Sequence, residues 1–215
     1  MRRAGANAPK PRPKAEAAAL FISLEGVDGS GKSTQAKLLV EALGPETVAI
    51  REPGGTDAAE RIRELLADPA VELEPLAELM LFCAARADLT ERVIRPALED
   101  GRDVVSDRFS DSSVAYQGAA RGLGVGEVIG LCDTATDGLW PDLTLLLKVD
   151  PELGLGRAQS EDRFEAEGLE LQRAVAVAYE EIAIIASDRV VVLDATGTVD
   201  EVHARVMDAV RSRTQ

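Results

Sequence analysis

The chain has 215 residues, 46% of them hydrophobic and 29% charged, which suits one α/β domain with a buried core and is short for two. No apolar run approaches the ~20 residues needed to span a bilayer, so a soluble protein without a membrane partner is expected. The net charge is −14, and because residues 1–19 carry +4, residues 20–215 carry −18, which argues against a DNA or RNA polymer as partner.

Residues 1–19 hold five Lys or Arg, one Glu and the prolines Pro9, Pro11 and Pro13, with no apolar core of a signal peptide. They read as a disordered basic arm ahead of one domain over 20–215. The first predicted strand, Leu20–Glu25, runs into Gly26-Val27-Asp28-Gly29-Ser30-Gly31-Lys32-Ser33, which matches GxxxxGK[ST] at every fixed position. A helix follows, with Leu38, Leu39, Ala42 and Leu43 at helical spacing. The second strand, Thr47–Arg51, leads to Arg51-Glu52-Pro53-Gly54-Gly55-Thr56, and Thr56 is a natural N-cap for a helix carrying Ile62, Leu65 and Leu66. The third strand, Asp103–Ser106, precedes Asp107-Arg108-Phe109. The fourth, Leu143–Val149, precedes Asp150-Pro151 and a charged stretch from Arg157 to Glu165. Between Glu161 and Ser187 the positions Phe164, Leu171, Ala178 and Ile185 fall seven apart, placing a core or interface stripe on one long helix. The fifth strand, Arg189–Leu193, ends at Asp194-Ala195-Thr196-Gly197.

Strands alternating with helices predict an α/β fold: the three-layer P-loop NTPase architecture, a five-stranded parallel sheet flanked by helices, with a short lid after the fourth strand. In such sheets ligands bind beyond the carboxyl ends of the strands, and charged or glycine-rich residues stand at all five ends.

The P-loop glycines let backbone N–H groups turn around phosphate oxygens. Lys32 is expected at the β/γ-phosphates of ATP, Ser33 on Mg²⁺, and Asp107 is placed where a carboxylate holds Mg²⁺ directly or through water. Thr34 and Thr196 complete the expected donor site. Phosphoryl transfer needs positive charge around the moving oxygens, and Arg51, Arg86, Arg108, Arg157 and Arg163 are the candidates. Cys83 and Cys132 lie 49 positions apart and His203 is the only histidine, so neither a zinc site nor a His-based triad is supported, and a reducing cytoplasm fits.

The chain resembles the thymidylate kinases from about Phe21 to the C-terminal helix. The resemblance rests on GVDGSGKST, REPGGT, LFCAARADL with ERVIRPAL, SDRFSDSSVAYQG, PDLTLLL and DATGTVDEV, in that order. It implies transfer of the γ-phosphoryl group of Mg-ATP to dTMP, giving dTDP and ADP, by a homodimer, and the apolar helical content around Leu79 to Phe82 and Val125 to Leu131, more than a single layer of sheet covers, offers that homodimer an interface. It also implies site roles. Asp28 would meet the deoxyribose 3′-hydroxyl, Phe82 would stack on thymine, and Arg86 would hold the base or the acceptor phosphate. Arg51 and Arg108 would bind that phosphate, with Glu52 in the same acceptor site. Ser113 and Gln117 would lie at the thymine edge, and Tyr116 would crowd a ribose 2′-hydroxyl. Ala85 and Leu89 depart from the Asp and the His or other polar residue common at those positions, and the lid is lean in basic residues.

A kinase for another nucleoside monophosphate or for a deoxynucleoside is the alternative, followed by a non-catalytic P-loop nucleotide-binding protein. A GTPase would need Asn-Lys-x-Asp, and the only asparagine is Asn7.

Overall fold

The computed structural model describes residues 19–157 and 168–214. The predicted basic arm, but for residue 19, lies outside the described residues, as do Arg163 and most of the predicted lid.

Five strands form one parallel sheet: β1 (Phe21–Glu25), β2 (Val48–Arg51), β3 (Val104–Asp107), β4 (Leu143–Lys148) and β5 (Val190–Asp194), in the order β2-β3-β1-β4-β5. Each lies within a residue or so of its predicted span. The agreement follows from burial on both faces, which makes an inner parallel strand a continuous apolar run. The FISLE segment of β1 is buried at every position. At the sheet edge, β5 leaves Val191 and Val192 partly exposed.

The strand register places the chemistry. Both Leu24 of β1 and Arg51 of β2 stand opposite Asp107 of β3, and Glu25 stands opposite Leu146 of β4. The P-loop, the REPGGT turn and the Asp107-Arg108-Phe109 turn therefore leave the sheet side by side.

Helix α1 (Lys32–Leu43) emerges from the P-loop, and α2 (Asp57–Ala67) is capped by Thr56, whose hydroxyl accepts from the Ala59 N–H at 3.1 Å. Helix α3 (Pro75–Leu89) continues through a π-helical segment, Thr90–Ile94, into α4 (Arg95–Glu99). The short α5 (Ser110–Ser113) widens likewise into a π-helical segment, Val114–Ala120, ahead of α6 (Val125–Thr136). Such widened turns recur at functional sites, and this one carries Tyr116 and Gln117. Helices α7 (Pro151–Arg157), α8 (Gly168–Ile185) and α9 (Val199–Thr214) complete the fold. Among the described residues no helix is long and apolar enough to cross a membrane.

Of the seven-residue stripe on the long helix, α8 places Ala178 in the protomer's core but not Ile185. Its buried face is Gln172, Val175, Ala178, Tyr179 and Ile182, while Leu171 is half-buried and Ile185 is 59% exposed. A seven-residue step falls about 20° short of two full turns of a straight helix, so two steps carry a stripe off the core face. Phe164 lies outside the described residues.

One core cluster joins α1, α8 and α9 to the sheet through Leu24, Leu39, Leu145, Val175 and Val206. A second gathers Phe21, Ile94, Val104 and Phe109, with the rings of Phe21 and Phe109 edge to face at 4.8 Å. Between sheet and helices lies a buried ion pair. Arg189 donates to both oxygens of Asp111 at 2.7 and 2.8 Å and to Thr144 at 2.9 Å, and it lies over the Trp140 ring.

Candidate active site

The P-loop turns on Gly26 and Gly29, which have positive φ and no room for a side chain. Gly26 has φ 141°, and a Cβ there would stand 2.6 Å from the Leu147 carbonyl oxygen. Lys32 crosses the loop, donating to the carbonyls of Val27 at 2.8 Å and Gly26 at 3.1 Å. Burial lowers its pKa to about 8, and the charge of Arg108 pushes the same way. Ser33, in the first turn of α1, donates to Asp107 at 2.5 Å. Thr34 is on the exposed side of α1.

A cavity of about 300 Å³ opens from the P-loop toward α3 and the π-helical segment after α5. It gathers Asp28, Lys32, Ser33, Arg51, Glu52, Phe82, Arg86, Asp107, Arg108, Ser113, Tyr116 and Gln117, so a single space joins every acceptor-site residue expected from the sequence. Its floor is Arg86, 2% exposed, which donates to Glu52 at 2.8 Å, Ser113 at 3.0 Å and the Phe109 carbonyl at 3.4 Å. Burial pushes Glu52 up to about 7 against the pull of Arg86, and its second oxygen is buried with no hydrogen-bond partner among the described residues. Gln117 donates to the buried Glu78 at 2.7 Å, and Glu78 also pairs with Arg121.

Arg108 holds φ 72°, a left-handed conformation rare outside glycine. The turn is secured by the Phe109 N–H donating to Glu25 at 2.7 Å and by the Ser106 hydroxyl donating to the Arg108 carbonyl. So placed, the guanidinium pairs with Asp28, donates to Ser112 at 3.1 Å and lies 5.2 Å over the Tyr116 ring. Glu25 accepts further bonds from Ser112 at 2.6 Å and Tyr179 at 2.8 Å, and burial, with Asp111 nearby, lifts its pKa to about 7.

Arg51 reaches the cavity rim, half-exposed and 3.4 Å from Glu60. Arg157 ends α7 exposed, Arg163 is not described, and Thr196 stands apart from the first cavity. Thr196 instead lines a second cavity of about 620 Å³ on the other side of the P-loop, together with Gly26, Val27, Asp150, Pro151 and Asp194. Its hydroxyl and N–H both donate to Asp194.

Several residues at the site were not expected from the sequence. Glu25 had a signal, a carboxylate closing a fully buried strand just before the P-loop. Gln172 and Tyr179 of α8 had none beyond their place on a helix, because only the fold brings them to Asp28 and Glu25. Arg63, which donates to the Pro53 carbonyl at 3.0 Å, and Arg121 also line the cavity, and no local pattern sets them apart from other arginines.

Comparison with known proteins gives a consistent picture. A family model described as thymidylate kinase matches residues 24–206. A thymidylate kinase of Deinococcus radiodurans is 46% identical over 200 residues, covering 90% of this chain and 97% of that protein. One from Synechococcus sp. is 46% identical over 199 residues, covering 90% and 96%. The crystal structure of thymidylate kinase from Ehrlichia chaffeensis superposes with a TM-score of 0.77 at 32% identity, covering 90% of this chain and 99% of that one.

Proposed function

This chain belongs to the thymidylate kinase family, and we infer that it transfers the γ-phosphoryl group of ATP to dTMP, giving dTDP and ADP on the way to dTTP. The observation that carries the reading is the meeting, in one cavity, of the Lys32 phosphate cradle with an aromatic and guanidinium pocket sized for one nucleotide.

In this reading the donor phosphates lie in the Gly26–Ser33 loop with Lys32 on the transferring end, and Thr196 borders the donor's nucleoside in the second cavity. The acceptor's base lies between Phe82 and the Arg86 floor, its edge met by Ser113 and Gln117. Because all of Arg86's nitrogens face protein groups, we assign it to the base. Acceptor phosphate falls to Arg108 and Arg51. Asp28 accepts from the sugar 3′-hydroxyl, and Tyr116 closes the space beside C2′. Arg157 and Arg163 are left as the lid's charges.

Ser33 and Asp107 suit Mg²⁺: two hard oxygen donors already in contact, too few to cage the ion, leave its remaining positions to water and phosphate. Held by Ser33 and Asp107, it would supply positive charge against the phosphate oxygens. The chain's own groups orient both phosphates and screen their charge, as transfer with little covalent work requires.

We also propose a homodimer in the cytoplasm. Of the two apolar stretches expected to form its interface, Leu79 and Val128 are buried in the protomer's own core and Phe82 faces the cavity. The exposed apolar groups on that side are Leu76 and Met80 of α3 with Leu65 of α2. Sedimentation at micromolar concentration should give about twice 22.8 kDa, and a monomer would reject this arrangement.

The decisive assay is coupled ADP release with Mg-ATP over dTMP, dUMP, UMP, CMP, AMP, GMP and thymidine. Preference for dTMP supports the reading. Preference for another acceptor, or no turnover with any, would favour the alternative kinase or a non-catalytic protein. Lys32→Ala should abolish most turnover with an unchanged circular dichroism spectrum.

A further inference from the structure

Asp28, at the tip of the P-loop, is gripped from a helix 144 residues away. Gln172 of α8 accepts from the Asp28 N–H on Oε1 at 3.1 Å and donates from Nε2 to Asp28 Oδ2 at 2.6 Å. The two bonds fix the amide's orientation, since a flipped amide would set oxygen against carboxylate and NH₂ against N–H. Gln172 is 1% exposed, so its amide is shielded from bulk water. The other carboxylate oxygen, Oδ1, pairs with Arg108 and lies 3.4 Å from the Tyr116 hydroxyl. The carboxylate is thus oriented by a charge on one side and an amide on the other.

Without the amide, Asp28 would be free to choose another rotamer. Two cations compete for it. Arg108 already holds one oxygen and has a fork geometry that favours taking both, and Lys32 is close enough for Asp28 to raise its pKa. Either capture would remove the acceptor oxygen from the sugar and neutralise a cation that the phosphates need.

We propose that Gln172 is a positioning residue for the acceptor sugar, holding the Asp28 carboxylate in the rotamer that receives the nucleotide's 3′-hydroxyl. This rests on the reading of Asp28 as the partner of that hydroxyl. Gln172 itself touches no reacting atom. Its contribution is to keep one carboxylate oxygen available, so that the 3′-hydroxyl finds a preset partner.

The test compares kcat/KM for dTMP and for 2′,3′-dideoxythymidine monophosphate in the wild type, Gln172→Ala, Gln172→Glu and Asp28→Asn. The wild type should prefer dTMP by about tenfold or more, the usual worth of a charge-assisted hydrogen bond. Both Gln172 variants should bring that ratio close to one, chiefly through a higher KM for dTMP, with KM for ATP unchanged. Gln172→Glu is close to isosteric, keeps the acceptor for the Asp28 N–H and sets an anionic oxygen against Oδ2, so it reports even where the alanine variant folds poorly. Asp28→Asn should lower the ratio as well. A large wild-type ratio that survives both Gln172 substitutions overturns the inference. So does an equal loss with both substrates, the signature of a merely structural role. A wild-type ratio near one instead overturns the assignment of Asp28, and the inference with it.

Discussion

The hydroxyl of Ser33 and the carboxylate of Asp107 meet at 2.5 Å, tying the first turn of α1 to the last residue of β3. Two elements far apart in sequence thereby present adjacent oxygen donors beside the phosphate loop. If this pair holds Mg²⁺, Ser33→Ala and Asp107→Asn should each raise the Mg²⁺ concentration for half-maximal activity about tenfold or more and lower kcat at saturation. A Mg²⁺ titration at fixed ATP checks this. Unchanged dependence in both variants would place the ion elsewhere.

Lys32 supplies a pH prediction. Its pKa in the folded protein, about 8, lies below the ordinary 10.5 because burial disfavours the ammonium. The stability gained from the neutral amine is therefore complete above pH 10.5 and lost as pH falls through 8, so burying the charged form is a cost the site carries at neutral pH. Activity runs the opposite way, because only the ammonium attracts phosphate. For the free enzyme, kcat/KM for ATP should fall along an alkaline limb centred near pH 8. In kcat the limb should move to higher pH, since bound phosphate oxygens favour the charged form. Coincident limbs would mean that the phosphates do not reach Lys32.

Much of this was legible in the sequence, and the reasons differ by element. Inner strands such as Phe21–Glu25 and Leu143–Lys148 read clearly because burial on both faces makes them predominantly apolar runs. The P-loop read clearly because its glycines answer to backbone geometry within eight residues. The Thr56 cap is local for the same reason. The register that sets Arg51 and Leu24 against Asp107 is tertiary, as is the bridge from Gln172 to Asp28, and no pattern near either residue encodes it. Ile185 falls off the protomer's core because a seven-residue repeat drifts around a helix whose turn is 3.6 residues.

The pair Arg189–Asp111 ties the start of β5 to α5 and, through Thr144, to β4. Both side chains are almost wholly buried, so removing one partner leaves the other charged and dry. Asp111→Ala and Arg189→Ala should each cost about 3–5 kcal/mol of stability, much more than loss of the exposed pair Arg173–Glu152. Urea unfolding of these two variants and of Glu152→Ala orders them. A loss below about 1 kcal/mol for Asp111→Ala would show that solvent enters and screens this region.

The sharpest prediction concerns the sugar. Tyr116 lies under the Arg108 guanidinium, with its hydroxyl 3.4 Å from the Asp28 oxygen that Arg108 also binds, so its ring is held from two directions beside the acceptor cavity. A ring so fixed cannot retreat from a 2′-hydroxyl or offer it a partner. Accommodating such a group imperfectly costs about 1–3 kcal/mol, or roughly ten- to a hundredfold in kcat/KM. The enzyme should therefore prefer dTMP to ribothymidine monophosphate by that margin. Tyr116→Ala should narrow the gap, weakening the deoxy substrate while admitting the ribose. Phe82 lines the same cavity from α3, where the base is assigned, so Phe82→Ala should weaken both acceptors about equally and preserve their ratio. Tyr116→Phe separates the ring from its hydroxyl: if sterics alone discriminate, this variant keeps the wild-type ratio, because the ring stays while its bond to Asp28 is lost. Measuring kcat/KM for both acceptors across the four proteins decides the matter. An unchanged ratio in Tyr116→Ala would assign sugar selection to another part of the pocket and leave Tyr116 as packing for Arg108.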